Sequence, residues 1–135
     1  MSVNLLYKTI SNKYNKYKEV NNVCAYKERY SLEERTNKSK ELLLKYPDRI
    51  PIICYSSPEL PELKRSKFLV NEEMNYTNLL FSVRKNIDLN EGQALYIFIG
   101  NRLLATNLII KEAYERYKDD DGFLYAYVCS ENTFG

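Results

Sequence analysis

The 135-residue chain is the size of one ordinary domain, and its 44% hydrophobic and 28% charged content suits one packed core under a polar surface. It contains no histidine, which excludes Ser/His/Asp triads, Cys/His dyads and histidine-ligated metal sites together. Of its charge, residues 1–25 carry four lysines against Glu19 (+3) and the remainder 16 basic and 17 acidic side chains (−1), so a broad basic face for nucleic acid is not expected.

Residues 1–25 are rich in Lys, Asn and Tyr, with Leu6, Ile10, Tyr14 and Tyr17 at helical spacing among Lys8, Lys13, Lys16 and Lys18. They read either as a basic amphipathic helix that touches membrane or an acidic partner, or as a loosely ordered extension of biased composition. At Ser31 the run "SLEE" puts Glu34 three residues on, a capping box that starts a helix. That helix runs toward Leu42–Leu44 and must end near Tyr46, because Pro47 disfavours the α conformation before it. "RIPIICY" (Arg49–Tyr55) reads as a buried strand whose Pro51 marks an edge or a strand start.

After the loop "SSPELPELKR" comes a short strand, "KFLV" (Lys67–Val70). Tyr76, Leu79, Leu80, Val83 and Ile87 then form one apolar helical stripe. "ALYIFI" (Ala94–Ile99) is an apolar strand, and Gly100-Asn101 supplies turn chemistry before a strand over "RLLAT". Ile110, Ala113, Tyr114 and Tyr117 make a shorter stripe, broken by Asp119–Asp121 and Gly122 before the last strand, "FLYAYVC" (Phe123–Cys129). The order ββαββαβ, preceded by N-terminal helices, predicts an α+β fold of the ubiquitin-like β-grasp type. Two parts are expected, an extension over 1–25 and one domain over 26–135.

Cys24, Cys54 and Cys129 have no CxxC spacing and read as reduced, mostly buried thiols. With no membrane-spanning run and no apolar leader, a cytoplasmic monomer is expected. A thiol enzyme built on Cys54 or Cys129 would lack the usual activating base, so no enzymatic role is expected.

From Tyr26 to Gly135 the stretches "YKERYSLEERTNKSKELLLKYPDRIPIIC", "KFLVNEEMNYTNLLFSVRKNIDL" and "GFLYAYVCSENTFG" resemble the GABARAP-type autophagy modifiers. These are ubiquitin-like proteins conjugated to phosphatidylethanolamine, and residues 1–25 have no counterpart in that pattern. The resemblance implies a modifier acted upon by activating and conjugating enzymes, with no cofactor or metal. Its function would lie in autophagosome or organelle membrane biogenesis and in recruiting cargo receptors. The alternative is a non-conjugated trafficking or cytoskeletal adaptor that uses the same groove.

The resemblance also implies a groove along Lys67–Val70 for peptides carrying an aromatic-x-x-aliphatic motif, added as an extra strand. Its aromatic pocket would use Leu42, Pro51, Ile53, Lys67, Leu69 and Phe123. Its aliphatic pocket would use Phe68, Val70, Met74, Leu79 and Val83, although Leu79 and Val83 lie on the stripe that must also cover the sheet. Arg49, Arg65 and Arg84 would meet acidic residues upstream of the motif; Arg49 and Arg84 have solvation or pairing with Asp48 as their other reading. Lys38, Asn71 and Ser82 depart from the family pattern around both pockets.

By the same resemblance, the Gly135 carboxylate would be adenylated, passed on as a thioester and joined to the amine of phosphatidylethanolamine. Lacking a Cβ, glycine can enter a narrow channel that other residues cannot. Phe134 would be a grip for that machinery. The membrane would then hold the protein through the two acyl chains of the lipid.

Overall fold

The computed structural model describes residues 24–90 and 92–130. The helical stripe expected within residues 1–23, and Phe134 and Gly135, lie outside the described residues. A short helix α1 (Ala25–Arg29) precedes α2 (Leu32–Lys45). The capping box at the start of α2 is reciprocal: Glu34 N–H donates to Ser31 Oγ and Ser31 N–H to Glu34 Oε1, each at 3.1 Å. The helix closes with Tyr46 N–H on the Leu42 carbonyl at 2.8 Å, immediately before Pro47.

The remaining elements are β1 (Arg49–Ser56), β2 (Lys67–Asn71), α3 (Tyr76–Arg84), β3 (Leu95–Ile99), α4 (Ile110–Tyr117) and β4 (Leu124–Ser130). They form one sheet in the order β2-β1-β4-β3, with β1 and β4 parallel at its centre and the outer pairs antiparallel. This is the expected α+β layer with N-terminal helices.

The expected second strand after the "ALYIFI" run is not among the described elements. Gly100 and Asn101, at φ 60° and 62°, turn the chain back so that Ile99 and Arg102 exchange a single pair of backbone bonds. The chain then leaves the sheet edge, because its carbonyls serve the start of α3: Thr106 accepts from Thr77 N–H at 3.2 Å and Leu108 from Tyr76 N–H at 2.9 Å. The described order is therefore ββαβαβ. The apolar stripe on α3 also outlasts its helix, which stops at Arg84, yet Ile87 remains buried.

Alternation in the strands divides the side chains between two faces. Ile50, Ile52, Cys54, Phe68, Val70, Ile97 and Leu124 point to one face, where α3 and α4 close the main core with Leu79, Val83, Ile110 and Ala113. Pro51, Ile53, Lys67, Leu69, Phe98, Phe123 and Tyr127 point to the other, nearer α1 and α2.

Candidate functional site

Strand β2 is an outer strand of the sheet. Cys54 N–H donates to the Ser66 carbonyl (2.7 Å) and Glu72 N–H to the Asp48 carbonyl (3.1 Å), so the even residues of β1 form the bonded pairs of this antiparallel ladder. Lys67 and Leu69 fall at the alternate positions, and their backbone N–H and C=O groups point to the free edge. An extended peptide of either direction finds donors and acceptors there.

Pro51 fits the inside of the sheet because of its register. The parallel ladder to β4 begins one residue later, at Ile52 opposite Leu124. The Gly122 carbonyl that precedes that ladder accepts instead from the Tyr114 hydroxyl at 2.7 Å. β1 is a central strand, so the edge reading fails; Pro51 is its third residue and sits just before the parallel ladder begins.

On the face nearer α1 and α2, Pro51 sits opposite Leu69 and Ile53 opposite Lys67. Phe123 and Ile53 are 2% and 1% exposed, while Leu69 and Leu42 are half-buried. Two residues that the sequence reading did not assign wall this side. Tyr26 stands edge-on to Phe123 with ring centroids 5.4 Å apart and lies 5.1 Å from Tyr30. The Lys67 ammonium lies over both rings, at 5.1 and 5.8 Å. A cavity of about 190 Å³ opens between α1 and β2, lined by Ala25, Tyr26, Arg29, Tyr30, Ser66 and Lys67. The signal for these tyrosines was their i, i+4 spacing just before the capping box, which puts both on one side of a helical turn.

The other side differs from the assignment made for it. Phe68, Val70, Leu79 and Val83 are 4%, 6%, 0% and 0% exposed and belong to the main core. Between the two readings of Leu79 and Val83, their burial is that of core. The open cavity beside β2, about 510 Å³, is lined by Asn71, Glu73, Met74, Asn78, Phe81 and Ser82. Met74 is the one residue of the assigned aliphatic set in that lining. Phe81 was missed because it lies off the apolar stripe of α3; it is 61% exposed, with the Lys85 ammonium 4.6 Å from its ring centre.

The three arginines fare differently. Arg49 is exposed at the start of β1, and the Arg65 guanidinium lies over the Phe68 ring at 4.6 Å. Arg84 is turned to the loop after its own helix, where Nη1 donates to the Gln93 carbonyl at 2.7 Å. Both arginines of β1 and the following loop stay near β2, whereas the charge of Arg84 serves the α3–β3 connection.

Buried polar groups hold α1 and α2 beside this site. Asp121 is fully buried and accepts from Arg35 Nη1 (2.7 Å), from the Phe123 N–H (2.8 Å) and from the Tyr125 hydroxyl. Ser39 Oγ donates to the Asp121 carbonyl. Gly122, at φ 88°, follows; a Cβ there would collide with Ser39 Oγ, so both its backbone angle and the approach of α2 call for glycine. At the rim, Lys27 Nζ reaches Asp119 Oδ1 at 2.6 Å. Burial would raise the Asp119 carboxyl, but the Lys27 ammonium and the Asp121 N–H outweigh it and hold the group below its ordinary range.

Burial pushes the thiols of Cys54 and Cys129 up to about 12, with Glu59 adding to the effect at Cys129. At neutral pH both are protonated and weakly nucleophilic. Among the described residues no group of His, Cys, Asp and Glu could hold a metal ion, and no helix is long and apolar enough to cross a membrane.

A family model described as "Autophagy protein Atg8 ubiquitin like" matches residues 34–135. Over 113 residues the chain is 41% identical to Autophagy-related protein 8i of Arabidopsis thaliana, covering 82% of this chain and 98% of that one. It is 37% identical to Autophagy-related protein 8 of Mycosarcoma maydis over 113 residues, again 82% of this chain and 96% of the relative. The crystal structure of Trypanosoma brucei ATG8 superposes with a TM-score of 0.77 at 32% identity, covering 84% of this chain and 99% of that chain. Plasmodium falciparum Atg8, solved in complex with a Plasmodium falciparum Atg3 peptide, gives a TM-score of 0.73 at 29% identity, covering 80% and 99%.

Proposed function

The chain belongs to the Atg8 family of ubiquitin-like autophagy proteins, and from that premise we propose that it is a modifier joined through Gly135 to phosphatidylethanolamine, presenting a peptide groove from the membrane surface. The observation that carries the groove is the free edge of β2, whose outward backbone groups at Lys67 and Leu69 lie between a cavity on each side.

A peptide strand added there places alternate side chains on opposite faces. An aromatic side chain goes toward Leu69, Lys67 and the two tyrosines of α1, over a floor of Pro51, Ile53 and Phe123, with Leu42 of α2 on the same side. An aliphatic side chain goes toward Met74, Phe81 and Ser82, with Phe68, Val70, Leu79 and Val83 supporting that wall from the core. Arg49 and Arg65 attract acidic residues that flank the motif. Cargo receptors with aromatic-x-x-aliphatic motifs are the partners this arrangement suits.

The family match extends to residue 135, which supports Gly135 as the acceptor of activation. An activating enzyme adenylates its carboxylate, a conjugating enzyme carries it as a thioester, and the amine of the lipid displaces the thiolate to form an amide. The relative solved with an Atg3 peptide supports a groove that also meets the conjugating machinery. In this role the protein is acted upon and catalyses none of these steps. Two acyl chains give stable anchoring where one is marginal, so conjugation moves the protein from the cytoplasm to autophagosomal or other organelle membranes.

The test is Gly135→Ala in cells. The variant is expected to lose membrane sedimentation while keeping its thermal melting and its affinity for an aromatic-x-x-aliphatic peptide. Unchanged membrane partition would overturn the conjugation reading and leave the soluble adaptor.

A further inference from the structure

The two cavities beside β2 differ in charge. The one toward α1 is lined by Arg29 and Lys67, with the Lys67 ammonium over two tyrosine rings. In the one toward α3, about 510 Å³, Glu73 is the single charged group among the described residues. Its wall is apolar at Met74 and Phe81 and polar at Asn71, Asn78 and Ser82.

Local bonds set these groups in place and leave their ends unspent. Asn71 pins the turn after β2: its Oδ1 accepts from Glu73 N–H at 2.8 Å and its carbonyl from Met74 N–H at 3.0 Å. The Met74 carbonyl accepts in turn from Ile110 N–H of α4 at 2.7 Å. At Ser82 the carbonyl is taken by Asn86 Nδ2 at 2.9 Å, whereas the hydroxyl has no partner among the described residues. The Glu73 carboxylate and the Asn78 side-chain amide have none among them either. Two cations of the same helix end are directed away. Arg84 is turned to the Gln93 carbonyl, and Lys85 lies over the Phe81 ring without entering the lining.

We propose, resting on the groove reading above, that this cavity selects a long basic side chain, arginine or lysine, at the fourth position of the bound motif. The methylene stem lies on Met74 and Phe81, where an aliphatic side chain also fits. The cationic end carries donors only, and the cavity offers acceptors: the Glu73 carboxylate, Asn78 Oδ1 and Ser82 Oγ. A leucine strips water from the same three groups and returns no hydrogen bond. A glutamate meets Glu73 and is rejected by like charge. With Arg29 and Lys67 at the first cavity, the fitting partner is acidic before its aromatic residue and basic three residues after it.

The test uses fluorescent peptides of one sequence, acidic-aromatic-x-x-Z with Z as Arg, Leu or Glu, titrated with the full chain and read by anisotropy. The Arg peptide is expected to bind about fivefold tighter than the Leu peptide, the scale of one partly exposed charge pair, and the Glu peptide weakest. Glu73→Gln is expected to bring Arg and Leu within about twofold of each other. Melting should not move, because Glu73 is exposed. Ser82→Leu is expected to reverse the order by giving the cavity a further apolar wall. Tighter binding of Leu than of Arg by the unaltered chain would overturn the proposal and leave the groove standing. An Arg preference that survives Glu73→Gln at full size would overturn it as well, since the cation then sits elsewhere. Failure of all three peptides to bind would overturn both the preference and the groove reading beneath it.

Discussion

The sheet is closed by different means on its two faces. On one, α3 and α4 seat Leu79, Val83, Ile110 and Ala113 at 0% exposure against β-branched and aromatic strand residues. On the other, the single buried residue of the 14 in α2 is Ser39, while Leu44 and Leu32 of the same helix are 85% and 53% exposed. That helix is held by the Arg35, Ser39 and Asp121 network rather than by apolar area. Hydrophobic burial has no direction and tolerates adjustment, whereas a buried carboxylate with three partners holds one geometry. The candidate aromatic pocket lies on the polar-bolted side, so its shape depends on a few hydrogen bonds.

The largest effect is expected from the bolt itself. Asp121→Ala leaves Arg35, 12% exposed at its side chain, without its buried counter-charge, and strands the Phe123 N–H and the Tyr125 hydroxyl. Removing one partner of a buried pair costs ~3–5 kcal/mol. Denaturant unfolding should show that loss, and a change under ~1 kcal/mol would mean that α2 is held by something else. Leu79→Ala on the core face comes next, at ~2–5 kcal/mol for a fully buried leucine. Its stability loss should be accompanied by intact peptide affinity at temperatures where the protein stays folded. If affinity falls while stability holds, Leu79 belongs to the pocket after all.

Both variants probe places where the sequence speaks clearly about one level and not the next. The capping box at Ser31, the stripe on α3 and the apolar strands are local signals, and the elements form there, although α3 stops at Arg84, short of the last stripe residue Ile87. The stripe could not say whether Leu79 and Val83 face a groove or a core, because helical periodicity marks an apolar side and not what covers it. Asp119–Asp121 and Gly122 read as a helix stop, which they are. The folding-back that buries Asp121 against Arg35, 86 positions away in sequence, has no local signature. Turn chemistry at Gly100-Asn101 was legible, but the strand expected to follow it was lost to long-range bonds with α3. In the site, Leu69 and Lys67 are implied by the family resemblance, and strand alternation supports Leu69 by presenting it away from α3. Phe81 was missed because it is exposed and lies off the stripe of α3, and Tyr26 because its i, i+4 spacing to Tyr30 marks a helical turn without saying what that turn packs on.

A smaller change is expected at the groove. Leu69→Ala removes a half-buried side chain from the non-core face of β2, so melting should move little. Binding of an aromatic-x-x-aliphatic peptide should weaken by ~2 kcal/mol, the scale of an interface hot spot. Native affinity would place the groove elsewhere. Measured beside Leu79→Ala, this variant separates the two faces: one substitution costs folding and spares binding, the other the reverse.

The smallest effect concerns the rim of the polar side. The Asp119 carboxyl is held below its ordinary value in the folded protein, chiefly against burial by the bond from Lys27. A group with a lowered folded pKa contributes stability that is fully present above its unfolded value, ~3.9, and is lost as pH falls through the folded one. The Lys27 and Asp119 side chains are 41% and 26% exposed, so solvent screening keeps the pair near ~0.2–1 kcal/mol. Acidification below about pH 4 should therefore loosen α1 before the sheet opens. The ring signals of Tyr26 and Phe123, in edge-on contact at 5.4 Å, should shift in NMR spectra ahead of those of Tyr76 in the main core. Lys27→Met should remove that early phase and leave the later one. If the early phase persists in Lys27→Met, the acid response belongs to another group, and α1 is held on this face by Tyr26 rather than by the ion pair.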